Sequence, residues 1–248
     1  MVNEARGAED AHPHTRCRPL SSPEALWPER CRSSTMIPIL FEDDDIIAVN
    51  KPEGLAAIPE RDPRRESLIS SLSVQLQRKL FVVHRIDKEV SGVILFAKNA
   101  SAHRWLNEQF SGRTIRKTYL ALTHGSIKRR TGTIEKPLRQ FGSGRVGVDT
   151  AQGKVSSTTF EVVTRFPSHT LVHADPHTGR RHQIRVHLYS IGHPVVGDLR
   201  YGDKQMQSAF PRLMLHALSI ELRLPSGEGI AVEAPVPQSF RAVLRAII

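Results

Sequence analysis

The 248-residue chain carries 35 Lys and Arg against 25 Asp and Glu, a formal net charge of +10, and 39% of its residues are hydrophobic. That is enough for one large domain or two tightly joined lobes, and the charge favours a polyanionic partner, nucleic acid before an anionic membrane. No apolar run approaches the ~18 residues that span a bilayer, only Cys17 and Cys31 occur, and no signal-peptide stretch follows the N-terminal charges. Membrane-spanning and disulfide-framed classes are therefore set aside, and a reducing, cytoplasmic setting is expected.

Residues 1–35 hold Pro13, Pro19, Pro23 and Pro28, a single aromatic, Trp27, and five Arg balanced by five acids. With no apolar period, this stretch is expected to be a disordered tail. Its acids count against a mitochondrial presequence, and His12, His14, Cys17 and Cys31 match no common zinc spacing. Met36 opens the ordered domain, 36–248, and is itself a candidate start. Ile39–Phe41 and Ile46–Asn50 predict a hairpin around the acidic turn 42–45, and Pro52 and Gly54 force a loop. Leu68, Leu72 and Leu76 predict a helix over 67–79, and Gly92–Ala97 reads as a buried strand. Asn99 or Ser101 caps a helix to Phe110, with Gly112 just past its end. Lys117–Thr123 alternates as a strand, and Ser157–Arg165 with Thr170–Ala174 predicts an antiparallel pair. Strands outnumber helices without βαβ alternation, so the fold class is α+β on a mixed or antiparallel sheet.

The charge is uneven. From Ser111 to Arg145, nine cations, Arg116 and Lys117 among them, meet one acid, Glu135, a net +8. A solvated face is the plain explanation, but the interleaved Tyr119, Phe141 and glycines suit phosphate contact. No exposed apolar heptad is visible, so a monomer is expected.

Three segments carry chemistry. In Val83–Gly92 (VHRIDKEVSG), Asp87 follows His84 and Arg85 in a loop entering the buried strand. A neighbouring guanidinium favours the charged, nucleophilic form of a carboxylate; a turn-capping Asp is the plain alternative. In His177–Gly192 (HTGRRHQIRVHLYSIG), Ile184, Leu188 and Ile191 form a buried helical stripe. His182, Arg185 and Tyr189 form a polar one facing a cleft or solvent. Arg180 and Arg181 at the helix start oppose its dipole unless an anion binds there. His182 and His187, five apart, point about 140° from each other on a helix, so no metal site is expected. In Asn50–Ala56 (NKPEGLA), Lys51 on a rigid turn can reach a phosphate or hold a catalytic loop; an ordinary loop lysine is the plain alternative.

Together these segments resemble the RluA family of pseudouridine synthases. The family pattern HR-L-D-x-x-T-S-G is met by HRIDKEVSG, K-P-x-G by Lys51–Gly54, and K-x-Y-x-A by Lys117–Ala121. The long pattern T-G-R-x-H-Q-I-R-x-H…G-x-P-x-x-G-D…Y-G is met across Thr178–Gly202, and Arg212–Ala217 and Ala234–Pro237 also fit, so the likeness spans about residues 37–248. Ile86 and Val90 replace the usual Leu and Thr, and Val90 gives up a hydroxyl. The loop after Gly54 lacks the usual His before Pro, and no S4-like domain is expected ahead of the catalytic region.

The resemblance implies a pseudouridine-synthase-like catalytic domain on a bent sheet with flanking helices. It implies isomerisation of uridines in structured tRNA or rRNA without cofactor or metal, the base being flipped out. By similarity Asp87 opens the glycosidic bond, by adding to the sugar, adding to the base or abstracting a sugar proton. Tyr119 stacks on the base and helps remove the final proton, Arg185 orients Asp87, and Arg85 enters the RNA stack. His84, Lys51, Arg116, Lys117, Arg180, Arg181, His182 and Gln183 are the further expected RNA-binding residues. The rivals are an inactive RNA-binding protein or RNA-folding chaperone on the same fold, and a membrane-surface binder supported only by charge.

Overall fold

A computed structural model describes residues 36–60, 62 and 64–247. The expected disordered tail, with its cysteines and His12 and His14, lies outside the described residues. β1 (Ile39–Glu42) and β2 (Ile46–Lys51) form the expected hairpin. Asp43 Oδ1 accepts the backbone N–H groups of Asp45 and Ile46 at 2.8 and 2.7 Å, which closes the acidic turn.

α1 (Leu68–Gln75) starts at Ser67, whose side chain accepts from Ser70 N–H. It stops short of the expected Lys79. Gln77 takes a left-handed φ of 51°, and Arg78 N–H reaches back to Ser73 O at 3.1 Å, a terminating turn normally flagged by glycine. After β3 (Phe81–Val82) and the fully buried β4 (Ser91–Ala97), α2 (Ala100–Gly112) is capped by Asn99. Gly112 is its last residue. The left-handed position is Arg113, at φ 56°, one residue beyond where the glycine placed it.

The remaining elements are β5 (Arg116–His124), β6 (Thr131–Glu135), β7 (Leu138–Gln140), β8 (Val146–Val148), β9 (Ser157–Arg165), β10 (His169–Pro176), α3 (Gln183–Ser190), α4 (Lys204–Ser208), β11 (Leu215–Arg223), β12 (Gly229–Glu233) and α5 (Gln238–Ala246). One ten-stranded sheet runs β1-β2-β4-β11-β5-β10-β9-β6, with β3 also on β4 and β12 also on β11, while β7 and β8 form a separate hairpin. β9 and β10 pair antiparallel as expected, and β4 with β11 is a parallel pair, so the sheet is mixed. Register shifts at Leu171/Val172 and Ala217/Ser219 bend it locally.

Gly92 makes the central pairing possible. Its φ is +116°, and a Cβ there would sit 2.1 Å from Ala217 O, so β4 meets β11 only without a side chain at this point. The loop carrying Asp87 enters β4 immediately before this contact. One large apolar core lies against the sheet, and a small second one, of Leu138, Val146, Val186 and Tyr201, ties the β7–β8 hairpin to α3.

Candidate active site

Asp87 sits in the 83–90 loop between β3 and β4. Its position is fixed from three sides. Val90 N–H donates to Asp87 O at 3.1 Å, which closes a turn. Lys88 O accepts Gly54 N–H at 2.9 Å and the Lys51 ammonium at 3.0 Å. The Asp87 side chain accepts one N–H of Arg185 at 3.0 Å on Oδ2.

Lys51 is fully buried, and its Nζ also donates to Pro52 O and Leu55 O at 2.8 and 2.7 Å. Burial pulls its pKa down to about 7, while three carbonyls matched to three N–H bonds favour the ammonium form. Every donor is thus spent on backbone carbonyls, one of them in the Asp87 loop, which fits loop holding and leaves none for a phosphate.

Arg185 is the hub. Its Nε and Nη2 form a fork on Asp198 at 2.7 and 2.8 Å, and Nη1 turns to Asp87, with Glu89 3.7 Å away. Burial alone would lower its pKa, but Asp198 and Asp87 raise it overall. Asp198 Oδ1 further accepts the N–H groups of Arg200 and Tyr201 at 3.0 and 3.2 Å. The polar stripe of α3 therefore splits: His182 and Arg185 face inward, Arg185 only 4% exposed, while Tyr189 at the far end is exposed.

These groups open onto a cleft of about 490 Å³ in which Asp87 is the only lining carboxylate among the described residues. Lys117 and Tyr119, alternating on β5, project into it. Burial and then the charge of Asp87 raise the pKa of Tyr119, so it stays a neutral phenol. His84 accepts Leu95 N–H on Nε2 at 2.9 Å and stacks on Phe110, ring centroids 4.8 Å apart. Burial lowers its pKa to about 3, so it is a neutral wall of the cleft. Arg85 lines the same cleft, is exposed, and has no hydrogen-bond or ion-pair partner among the described residues.

The structure brings together only part of the expected set. Arg116 lies on the opposite face of β5 from Lys117 and Tyr119, because side chains alternate along a strand, and it is paired with Asp175 at 3.1 Å and Glu221 at 3.7 Å. Arg180 and Arg181 precede α3 instead of starting it; both are exposed, and Arg180 lines the cleft. Gln183 lines it too, but its amide is spent internally on Thr178, Arg180 N–H, Ser157 O and Thr158. His182 is 8% exposed, with Nε2 3.8 Å from Asp87 Oδ2 and Nδ1 2.8 Å from the Tyr201 hydroxyl. His187 turns away to Thr158 and Lys136 O, and no metal-holding group occurs among the described residues.

The +8 segment is not one open face. Arg116, Arg130 and Arg139 are ion-paired, and Lys136 donates to Ser190 O at 2.8 Å. Asp198 and Tyr201 were not among the expected site residues. The G-D…Y-G part of the matched motif was the available signal.

With this geometry in place, the comparisons with known proteins agree. The family described as RNA pseudouridylate synthase matches residues 45–190. Ribosomal large subunit pseudouridine synthase C of Pasteurella multocida (strain Pm70) is 39% identical over 220 residues, 84% of this chain and 67% of that protein. Ribosomal large subunit pseudouridine synthase D of Nitrosomonas europaea is 38% identical over 223 residues, 84% of this chain and 64% of that one. The chain thus spans about two thirds of the length of these curated relatives. Among solved structures, human RNA pseudouridylate synthase domain containing 4 superposes with a TM-score of 0.70 at 25% identity, covering 85% of this chain and 92% of its own. The fold is that of an RNA-modifying isomerase. The chain belongs to the RNA pseudouridylate synthase family, in its RluA branch, whose members isomerise uridine in RNA.

Proposed function

We propose that this protein converts selected uridines of ribosomal RNA to pseudouridine, with Asp87 as the attacking group. The observation that carries the reading is the lone carboxylate of the cleft among the described residues, oriented by a buried guanidinium at 3.0 Å. A hydrolytic glycosidase needs two carboxylates, one as acid and one as base or nucleophile. Isomerisation needs one, because the leaving base is also the group that returns. The N1–C1′ bond of uridine breaks, the uracil turns, a C5–C1′ bond forms, C5 gives up its proton and N1 takes one. The reaction is redox-neutral and consumes no water, so its stoichiometry calls for no cofactor.

In this reading the uridine is flipped into the cleft. Tyr119 stacks on the uracil as a neutral phenol, and Arg85, exposed at the rim, fills the space the uridine leaves. Lys117, Arg180 and Arg113 line the cleft, which supports them as contacts to backbone phosphates. The relatives are named for the ribosomal large subunit, which favours ribosomal over transfer RNA. We further propose a monomer working in the cytoplasm; no described helix is long and apolar enough to cross a membrane.

The test is pseudouridine mapping of cellular RNA from cells lacking the protein, rescued with the wild type or with Asp87→Asn. Loss of specific ribosomal sites that only the wild type restores supports the reading. Equal rescue by Asp87→Asn removes Asp87 from the mechanism, and no change at any site favours an RNA-binding or chaperone role.

A further inference from the structure

We propose that Tyr201 is a positioning residue for the isomerisation: its hydroxyl fixes the tautomer of His182 so that an N–H, not a lone pair, faces Asp87. The inference rests on the reading of Asp87 as the reacting carboxylate, but it can be tested without it.

The protons available around the Tyr201 hydroxyl fix the tautomer. Tyr201 is 1% exposed, and among the described residues its hydroxyl has two hydrogen-bond neighbours, Val146 N at 3.1 Å and His182 Nδ1 at 2.8 Å. A phenol offers one proton and two lone pairs. The backbone N–H can only donate, so it occupies one lone pair. If the phenol donates to a bare Nδ1, every group is satisfied. If instead Nδ1 carried the proton, the phenol O–H would be buried with no acceptor, which is costly. Nδ1 is therefore bare, and the proton of the neutral ring sits on Nε2.

The other end of the ring demands the same tautomer. Nε2 faces Asp87 Oδ2 at 3.8 Å. A lone pair there would repel the carboxylate, whereas an N–H attracts it. The separation is beyond hydrogen-bond length, and such contacts often tighten when substrate binds. The ring has little freedom to avoid this contact. His182 holds a left-handed backbone, φ 54°, rare for a residue with a side chain, and its ring meets Tyr201 edge-on at 5.6 Å. Tyr201 is itself held with Arg145 and Arg185 over its ring, at 5.4 and 5.3 Å.

The charge balance keeps this contact a dipole. Burial lowers the pKa of His182 to about 4; Asp87 pulls upward, and Arg185, Arg181 and Arg200 push down. Glu89 and Asp198 also belong to this neighbourhood, each paired with Arg185. A phenol donating to Nδ1 acts in the same direction, because an imidazolium needs a proton on that nitrogen. A charged ring would compete with Arg185 for the carboxylate and blunt it as a nucleophile. A neutral N–H steadies it without neutralising it.

The experiment is long-range ¹H–¹⁵N spectroscopy of the full chain labelled at histidine, for the wild type and Tyr201→Phe. Single-turnover rates at saturating RNA are measured across pH 5–8 on the substrate found by mapping. The wild type should show His182 as the Nε2–H tautomer at neutral pH. Tyr201→Phe should show a tautomer mixture or protonation in the acid half of the range. Its rate should fall on the order of tenfold, one hydrogen bond's worth, more at acid than at alkaline pH and with RNA affinity unchanged.

A wild-type ring in the Nδ1–H or imidazolium form overturns the proposal. So does a uniform loss of rate in Tyr201→Phe with its tautomer unchanged, which would be a packing effect. Should Tyr201→Phe fail to fold, the wild-type spectrum alone decides. Asp87→Asn is run alongside: if it stays active, the reading of Asp87 fails while the tautomer result still stands or falls on the spectrum.

Discussion

Arg185 gives Asp87 a single N–H, 3.0 Å from Oδ2, and gives the fork of its other two nitrogens to Asp198. Asp198 holds the guanidinium plane, and that plane aims the remaining donor. A lysine ammonium is a point donor without a fork, so it cannot serve both carboxylates in this geometry. Arg185→Lys should lower the single-turnover rate on the order of 100-fold, the usual consequence of a misplaced reacting group, with RNA binding little changed. A rate within threefold of wild type would show that the fork does not orient Asp87. Asp198→Ala should act through stability as well. It leaves Nε and Nη2 of the buried guanidinium without their acceptor while Asp87 still holds Nη1, at a cost of about 1–3 kcal/mol or more, which a lowered denaturant midpoint would report.

Gly92 should tolerate no side chain. The alanine methyl would lie 2.1 Å from a backbone oxygen of β11, at a φ of +116°. Neither strand can yield without disturbing the parallel pairing that anchors the Asp87 loop. Gly92→Ala should destabilise the fold by about 3 kcal/mol or more, measured by chemical denaturation. A cost below about 1 kcal/mol would mean that the two strands separate more easily than their pairing implies.

Much of this site was legible because it is local. The run GVILFA reads as a buried strand from apolar content alone, and β4 is buried at every position. The hairpin 39–51, the strand holding Tyr119 and the inward stripe of α3 follow from periods of two and of about 3.6. Period two also separates Arg116 from Lys117 and Tyr119, a signal present in the sequence that grouping by charge overrode. What stayed hidden depends on distant partners. Lys51 looks like a surface lysine until the carbonyls of Leu55 and Lys88 close around it, and Asp198 becomes important only when folding brings Arg185 to it. The ends of α1 and α2 were misplaced for a related reason: their left-handed residues are Gln77 and Arg113, and no glycine marks them.

His84 should make stability depend on acid. Its folded pKa is lowered to about 3 from an ordinary 6.5 by burial, with Lys117 adding to the effect. Between those values the unfolded chain binds the extra proton, so stability is fully present above about pH 6.5 and is lost as the pH falls toward 3. For this one ring the loss from pH 7 to pH 5 is about 2 kcal/mol. Because other histidines titrate as well, the clean measurement is a comparison with His84→Asn. The advantage of the wild type over the variant should shrink by about that amount, 2 kcal/mol, between the two pH values. An advantage independent of pH would show that the ring is not held neutral.

Arg85 and Arg116 should part company in salt. Both are exposed arginines of a basic protein, but Arg116 is already paired with Asp175 and Glu221, while Arg85 stands at the cleft without a partner among the described residues. A cation that neutralises a phosphate releases a counterion, so its removal should lower the slope of log affinity against log salt by about 0.7 to 0.9. Arg85→Ala should show that change with an RNA stem-loop containing the mapped uridine, and, in its proposed role of filling the space the uridine leaves, should also slow the reaction. Arg116→Ala should leave the slope and the rate unchanged, its charge being spent on the protein itself. Anisotropy titrations from 50 to 200 mM salt, the range over which such contacts lose most of their strength, would separate the two. Equal slopes for both variants would place the RNA across both faces of β5 and contradict the cleft as the binding face.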